Sequence, residues 1–267
     1  MKIKIEKFFK NHLPPKVYFL HKYLRMKSKN QLDDEMFYVA KLMRGNGRFL
    51  DIGSNIGIWA YFMRNKFSKI DAYEPISEIT ERFRSLNFNH INIHDVALSN
   101  NIGKLKFFIP LDANGTKQTG LSSLEHRHGK CEERIVDVKT LDTYAFDDVK
   151  LIKVDVEGHE QSVILGAIET LRKCSPILVV EIEQRHLECD ISDVFKTILE
   201  LNYEGFFLVE GKLIKLTQFT YEKYQKPFLK NVASKEYINN FIFIPSHNMF
   251  KLNNYESHPR IKAELAV

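Results

Sequence analysis

The chain has 267 residues, of which 44% are hydrophobic and 27% charged, and a net charge of +5. That length can bury a full core as one large domain or two, and these ordinary fractions exclude a disordered or fibrous chain. No run of about 18 apolar residues occurs, so no membrane-spanning helix is expected.

The charge is unevenly placed. Residues 1–30 carry nine Lys or Arg against Glu6 alone, a net of +8, and subtracting this from the total leaves −3 for residues 31–267. The basic character belongs to an N-terminal helical arm, expected over residues 1–40. Such an arm suits an anionic partner, whether a lipid surface, a nucleotide diphosphate or nucleic acid. A solvated or oligomer-facing helix has the same composition. Ile3, Ile5, Phe8 and Phe9 hint at an amphipathic segment that Pro14-Pro15 interrupts. A helix is predicted from Lys16 to Met26, and the apolar stretch Val17 to Leu20 is too short for a signal-peptide core. Cys131, Cys174 and Cys189 are odd in number and form no Cys-x-x-Cys pair. They read as free thiols of a reducing cytoplasm, with the basic arm able to hold the protein peripherally on the inner membrane face.

From Arg48 the chain alternates strands and helices, the pattern of a doubly wound α/β sheet. Strands are predicted at Arg48 to Gly53, Lys69 to Glu74 and Ile91 to Asp95, with helices at Ile56 to Asn65 and Ser77 to Phe88 between them. Lys104 to Ile109 and Arg134 to Val138 break the alternation and read as an inserted hairpin, carrying a Gly-, Thr- and Ser-rich loop from Asp112 to Ser123. Alternation resumes with a strand at Leu151 to Val156, one helix from Glu160 to Lys173 and a strand at Ile177 to Ile182. A helix near Ile191 to Leu201 and strands at Gly205 to Glu210 and Phe241 to Pro245 complete the domain, expected over 41–246, before a polar tail at 247–267.

The first strand runs into Phe49-Leu-Asp-Ile-Gly-Ser-Asn-Ile-Gly57. Gly53 and Gly57 permit close backbone approach to a ligand, Asn55 lies between them, and the following helix offers unpaired N–H groups. The pattern is not the Gly-x-Gly-x-x-Gly of dinucleotide binders. Asp51, before the first glycine, would repel a pyrophosphate but suits an ammonium or sulfonium group. Glu74 ends the second strand, where an acid accepts hydrogen bonds from ribose hydroxyls, and Pro75 holds it extended. Asp95 and Val96 leave the third strand, placed for an adenine edge, with Asp95 the polar contact. Together these signals describe S-adenosylmethionine rather than a nicotinamide dinucleotide.

The decapeptide Leu-Ile-Lys-Val-Asp-Val-Glu-Gly-His-Glu at 151–160 carries the chemistry. Lys153, Asp155 and Glu157 alternate along a strand and so share one side. Charge on a buried strand is costly unless it is paired or stands at the rim, and the carboxyl rim of an open α/β sheet is where ligands bind.

With these residues in place, the chain resembles the FkbM-type S-adenosylmethionine-dependent methyltransferases over about residues 48–185. Ala72-Tyr-Glu-Pro75, Asp95-Val-Ala-Leu-Ser99, Thr119-Gly-Leu-Ser-Ser123, Val138-Lys-Thr-Leu-Asp142, Ile152 to Glu160 and Val180-Glu-Ile182 follow the glycine turn in order. The resemblance implies a Rossmann-like class I methyltransferase with a mostly parallel seven-stranded sheet and helices on both faces. It also implies methylation of a hydroxyl oxygen, commonly on a sugar or polyketide-type product.

Methyl transfer from a sulfonium is an in-line displacement, and an alcohol acceptor must lose a proton to a base. Asp155 or Glu157 ranks first as base, Glu181 is expected to position the hydroxyl, and Lys153 to neutralise an acid; Asp155 also borders the cofactor. His159 has a suitable ordinary pKa but, after Gly158 at a helix start, reads more readily as a polar surface residue. Ser122, Ser123, His126 and Arg127 are expected to line the acceptor site. Asp155, Glu157 and Glu181 could supply oxygen ligands to a divalent cation, although a metal is not favoured, and His126-x-His128 has metal spacing without a third ligand. The favoured reading is an O-methyltransferase acting on a small-molecule or glycan acceptor, specifically a sugar hydroxyl of a glycan, glycolipid or nucleotide sugar. The alternatives are an RNA methyltransferase, disfavoured by the lack of an aromatic-basic stacking surface, and a non-catalytic cofactor-binding or membrane-docking protein. An oligomer is compatible with each.

Overall fold

The computed structural model describes residues 13–43, 45–126 and 129–249; the segment from Ile3 to Phe9, Arg127, His128 and the tail beyond Met249 lie outside them. The described residues begin with helices α1 (Pro15–Ser28) and α2 (Asp34–Leu42). Pro15 occupies the first helical position, where its missing N–H would have no partner anyway. The boundary expected between residues 40 and 41 falls inside α2.

The alternating region follows as β1 (Arg48–Ile52), α3 (Ile58–Met63), β2 (Lys69–Tyr73), α4 (Ser77–Arg84) and β3 (Ile91–His94). Next come β4 (Ala97–Leu98), β5 (Gly103–Pro110) and β6 (Cys131–Lys139), then β7 (Val149–Val154), α5 (Glu160–Leu165), α6 (Ile168–Cys174) and β8 (Ile177–Glu181). The last elements are α7 (Ile191–Leu199), β9 (Tyr203–Val209), β10 (Lys212–Lys215), α8 (Tyr221–Tyr224) and β11 (Asn240–Pro245).

Eight strands form the main sheet in the order β10-β9-β11-β8-β7-β1-β2-β3. β3, β2, β1, β7 and β8 are parallel, and β11 runs antiparallel between β8 and β9. The sheet exceeds the expected seven strands by β10, which pairs back on β9 through Glu210-Gly211. Both residues of that turn have positive φ, as a two-residue hairpin requires, but Glu-Gly is not the Asn-Gly or Asp-Gly signal that marks such turns in sequence.

Chain direction across the sheet reverses between β1 and β7, and a crevice at the carboxyl ends of those two strands is the natural ligand position. Alternate strand residues feed two cores. Leu50, Ile52, Ile152 and Val154 pack with Val163, Leu171 and Val194 of α5, α6 and α7. Phe49, Ile70, Leu151 and Val179 pack with Phe19, Met36, Ala60 and Phe83 of α1 to α4.

The expected hairpin is present, with β5 and β6 antiparallel from Gly103↔Val138 to Pro110↔Cys131 and β4 parallel to β6 in a separate three-stranded sheet. Its Phe107, Ile109, Val136 and Val138 pack on Ile76 and Ile79. The single helix expected from Glu160 to Lys173 is two helices. A Cβ on Gly166 would stand 1.9 Å from the Ser99 carbonyl oxygen, so the chain needs a glycine at that close approach. The second helix restarts under Asp142, whose carboxylate accepts from the N–H groups of Glu169 (3.1 Å) and Thr170 (2.8 Å), giving the Thr-Leu-Asp run a capping role. The three cysteines are free thiols. Among the described residues no helix is long and apolar enough to cross a membrane.

Candidate active site

A cleft opens at the reversal point, with about 580 Å³ of space that includes the solvent at its mouth. Gly53 and Asn55 form its floor beyond β1, Glu74 and Pro75 its wall beyond β2, and Asp155 and Glu157 its wall beyond β7. The inserted sheet and its loop close the cleft with Phe107, Thr119, Gly120, Ser122 and Leu124. Gly53 has φ +74, and a Cβ there would lie 1.7 Å from the Asp155 carbonyl oxygen. Only glycine allows the β1 turn to pass so close beneath the β7 exit.

Glu74 is 5% exposed, and its carboxylate accepts from the N–H groups of Ile76 (3.0 Å) and Asn55 (3.1 Å). Burial nevertheless pushes its pKa up to about 7. Ser122 Oγ, in the cleft lining, is buried with no hydrogen-bond partner among the described residues. An orphaned hydroxyl at a cleft wall is a group that a polar ligand would satisfy. Val96 lines the cleft as expected from sequence, as do Asn55, Glu74 and Gly53, whereas Gly57 stands at the start of α3 against the Phe83 ring.

At the rim beside this cleft lies a charged cluster. Lys153 is 2% exposed, with Nζ 3.6 Å from Asp155 Oδ2 and 3.7 Å from Glu181 Oε2. Nζ also donates to Asn240 Oδ1 (3.3 Å) and stands 5.8 Å over the Trp59 ring. Burial alone would depress the Lys153 pKa, but Asp155 and Glu181 more than offset it and hold the amine above the ordinary lysine value. Burial raises the Asp155 pKa against the pull of Lys153. It raises that of Glu181 further, with repulsion from Asp155 added. One oxygen of each carboxyl lies within 4.8 Å of the other, and Asn239 Nδ2 donates to Glu181 Oε1 (2.7 Å). Two acids this close, with one cation, suit a shared proton.

Glu157 belongs to the same cluster, since one oxygen from each of Asp155, Glu157 and Glu181 lies within 4.8 Å of the others. β7 ends at Val154, however, and Glu157 does not continue the strand. Its φ of +57 turns it toward His186, whose Nδ1 is 2.9 Å from Glu157 Oε2. That pairing makes Glu157 less available as a base than Asp155. The same oxygen triad could hold a divalent cation, as could Glu157, Glu183 and His186, and Lys153 already supplies positive charge to two members of the first group.

Several residues lie elsewhere than the sequence implied. Asp51 is 2% exposed and outside the cleft lining; its Oδ2 accepts from the Ala60 N–H (3.0 Å), satisfying a free donor in the first turn of α3. Burial pushes its pKa up to about 7. Asp95 also stands outside the lining, held by Arg84 Nη2 (2.9 Å) and the Thr80 hydroxyl (2.5 Å) of α4. Ser123 is buried as a tie, its Oγ donating to the Val156 carbonyl (3.0 Å), and so anchors the insertion to the rim instead of facing a ligand. His126 is exposed and packs edge-on against Phe108 at 4.8 Å. His159 is not a surface residue. It is 8% exposed and lines the cleft, with Nδ1 2.6 Å from Glu125 Oε1 and Nε2 2.8 Å from Ser99 Oγ. The insertion and the β4 exit close around it.

Sequence reasoning missed His186, Glu125, Trp59 and Asp33. His186 follows the β8 exit by five residues, on the same rim as Glu181, and that position was its only local signal. Asp33, whose Oδ2 accepts from Trp59 Nε1 (2.7 Å), had none, being more than a hundred residues from Lys153.

Glu160, ending the decapeptide, is 1% exposed; one oxygen accepts from the Gly158 N–H (2.8 Å) and the other has no partner among the described residues. Burial pushes its pKa from 4.5 up to about 8. The unfolded carboxyl ionises first, so this group's contribution to stability is complete below about pH 4.5 and is lost as pH rises through about 8. Glu160→Gln should therefore match the wild type in denaturant unfolding at pH 5 and exceed it at pH 9 by up to a few kcal/mol, a tenfold change in proton affinity being worth ~1.4 kcal/mol. A stability difference that did not vary with pH would contradict the assignment.

A parallel sheet whose strand order reverses at β1/β7, a glycine turn beneath the crevice and an acid at the end of β2 define a Rossmann-like fold with its ligand crevice. Residues 51–206 match the model of the methyltransferase FkbM domain, and the chain belongs to that family. It is 28% identical over 178 residues to Methyltransferase 1 of Beauveria bassiana (strain ARSEF 2860), covering 57% of this chain and 69% of that protein. Among solved structures, the methyltransferase FkbM from Methylobacillus flagellatus KT aligns with a TM-score of 0.50 at 16% identity, over 90% of this chain. The chain spans 58% of that structure's length, and at this identity the likeness concerns the fold.

Proposed function

We propose that the chain is an S-adenosylmethionine-dependent O-methyltransferase whose acceptor is a sugar hydroxyl of a glycan, glycolipid or nucleotide sugar. The observation that carries this reading is the Lys153–Asp155–Glu181 cluster standing where the cleft meets the rim, because it joins a proton acceptor to a ligand-sized crevice.

The cleft fits the cofactor: Glu74 would take the ribose hydroxyls, the turn at Gly53 and Asn55 would pass close beneath it, Val96 would border the adenine, and Ser122 Oγ has an unused hydrogen bond to give. When bound, the cofactor supplies a methyl group activated on a positively charged sulfur. The chain's own residues then have to align the acceptor and take its proton. Alignment is worth roughly 7–11 kcal/mol when reactants are held in line. Burial raises the pKa of Asp155, which makes it a stronger base than an ordinary carboxylate, while Lys153 favours its ionised form. Glu181, fixed by Asn239, accepts from the acceptor's hydroxyls and holds the shared proton. Paired carboxylates suit a polyol, which offers adjacent O–H donors.

The test is transfer of labelled methyl from S-adenosylmethionine to a panel of saccharides, glycolipids and nucleotide sugars. Label on a sugar oxygen is the expected result, and label found only on RNA or on a nitrogen acceptor would overturn the reading. The cofactor half is tested separately. Glu74→Ala should weaken S-adenosylhomocysteine binding by about 10–100-fold in calorimetry, hydrogen bonds to charged groups being worth ~1.5–3 kcal/mol. An unchanged affinity would remove Glu74 from the cofactor site.

A further inference from the structure

We propose that the outer face of α1 docks on an anionic lipid bilayer. The inner face of this helix is fixed to the body of the protein. Phe19 and Tyr23 are buried, their rings 5.0 and 4.7 Å from that of Tyr61. A helix with that inner face ordinarily presents polar residues outward. Here Val17 and Leu24 stand 47% and 60% exposed, seven residues apart and so on one stripe, with exposed His21 between them.

The flanks of the stripe are basic. Lys16, Lys27 and Lys29 are exposed, and the fourteen residues of α1 include no Asp or Glu. Aliphatic side chains between lysines are the make-up of a helix that lies in the lipid headgroup layer, with the apolar groups entering the acyl boundary and the amines reaching phosphate. RNA would exploit the lysines but has no use for exposed valine and leucine, and single-stranded RNA favours aromatic or arginine stacking platforms. The +8 charge of residues 1–30, against −3 for the rest, places the positive excess in the segment of sequence that contains α1, complementary to an anionic surface.

The helix also leads to the active-site rim. Beyond α1 the chain passes through buried Leu32 to Asp33, which accepts from Trp59 Nε1, and Lys153 stands over that same indole. If the sugar-methylating reading holds, a docked α1 sets the rim beside the bilayer, where a lipid-borne glycan would be presented.

The experiment is co-sedimentation of the full chain with phosphatidylcholine vesicles with and without phosphatidylglycerol, at low and high salt. The protein should pellet with the anionic vesicles and be released as salt rises, since lysine–phosphate attraction is screened within a Debye length. Lys16→Glu, Lys27→Glu and Lys29→Glu should each weaken binding at least about fivefold, the loss expected for one lysine near such a surface. The double variant Val17→Ser, Leu24→Ser should also lose binding while its unfolding temperature and circular dichroism stay those of the wild type, both residues being exposed. Binding equal on both vesicle types, or a double variant that binds as the wild type does, would overturn the proposal. Retention on RNA that depended on the lysines but not on Val17 and Leu24, without vesicle binding, would overturn it as well. None of these measurements needs turnover, so a failure here leaves the methyltransferase reading standing, and absent turnover leaves the docking result intact.

Discussion

Asp155→Asn is expected to lower kcat for methyl transfer by about 10²–10⁴-fold, the usual contribution of a positioned base. The substitution keeps the size and one acceptor of the side chain but removes its ability to take a proton. Asp155 faces the cleft, is half-buried, and has one cation, Lys153, between it and Glu181. Wild-type kcat should fall on the acid side, because activity requires the raised Asp155–Glu181 pair to lose a proton. In the variant Glu181 no longer feels repulsion from Asp155, so its pKa drops and the acid limb of the residual activity should move to lower pH. Glu181→Gln should cost less, since a glutamine can keep the Asn239 contact through its amide oxygen. The check is a pH–kcat profile for all three proteins on one acceptor, with S-adenosylhomocysteine affinity measured alongside. Full activity in Asp155→Asn would remove it as the base.

Lys153→Met carries the largest expected effect on stability. The amine is fully enclosed, and deleting it leaves the half-buried Asp155 and Glu181 without the cation that now stands 3.6 and 3.7 Å from them. Removing one partner of a buried ion pair typically costs ~3–5 kcal/mol, because the remaining charge stays uncompensated. The loss should depend on pH in a definite direction. Both acids already have folded pKa values above their ordinary ones, and without Lys153 these rise further. Their contribution to stability is then retained at low pH, where both states are protonated, and is lost as pH rises toward the folded values. Denaturant unfolding across a pH series should show the variant nearest the wild type at the acid end and progressively below it as pH rises to 8. Equal stability at pH 8 would mean that Lys153 does not compensate the pair.

Much of this site is local in the chain, and that is why it could be read there. The turn from Gly53 to Gly57, the acid ending β2, and the Lys153–Asp155 alternation each lie within a few residues of a strand end, and strand period two sets their side. Reading failed where a residue's role depends on an element remote in sequence. Asp51 has the type and place of a cofactor acid, yet α3 packs so that its free N–H at Ala60 claims the carboxylate. His159 follows a glycine at a helix start, an exposed position by local rule, but the insertion carrying Glu125 and the β4 exit carrying Ser99 fold over it. The Glu160 to Lys173 helix divides because the Ser99 carbonyl, more than sixty residues earlier, crosses at Gly166.

The sequence by itself determined the class of fold and set the glycine turn and the charged strand end at the carboxyl rim of the sheet, since these follow from periodicity, glycine placement and the cost of charge on a buried strand. Only the tertiary structure decided which acids face the cleft, that Glu157 turns to His186, that Lys153 is enclosed between Asp155 and Glu181, and that Asp33, between α1 and α2, meets Trp59 at the rim. Charge partners and burial are set by elements distant in the chain. A carboxylate's proton affinity depends on those partners, and no local pattern encodes them.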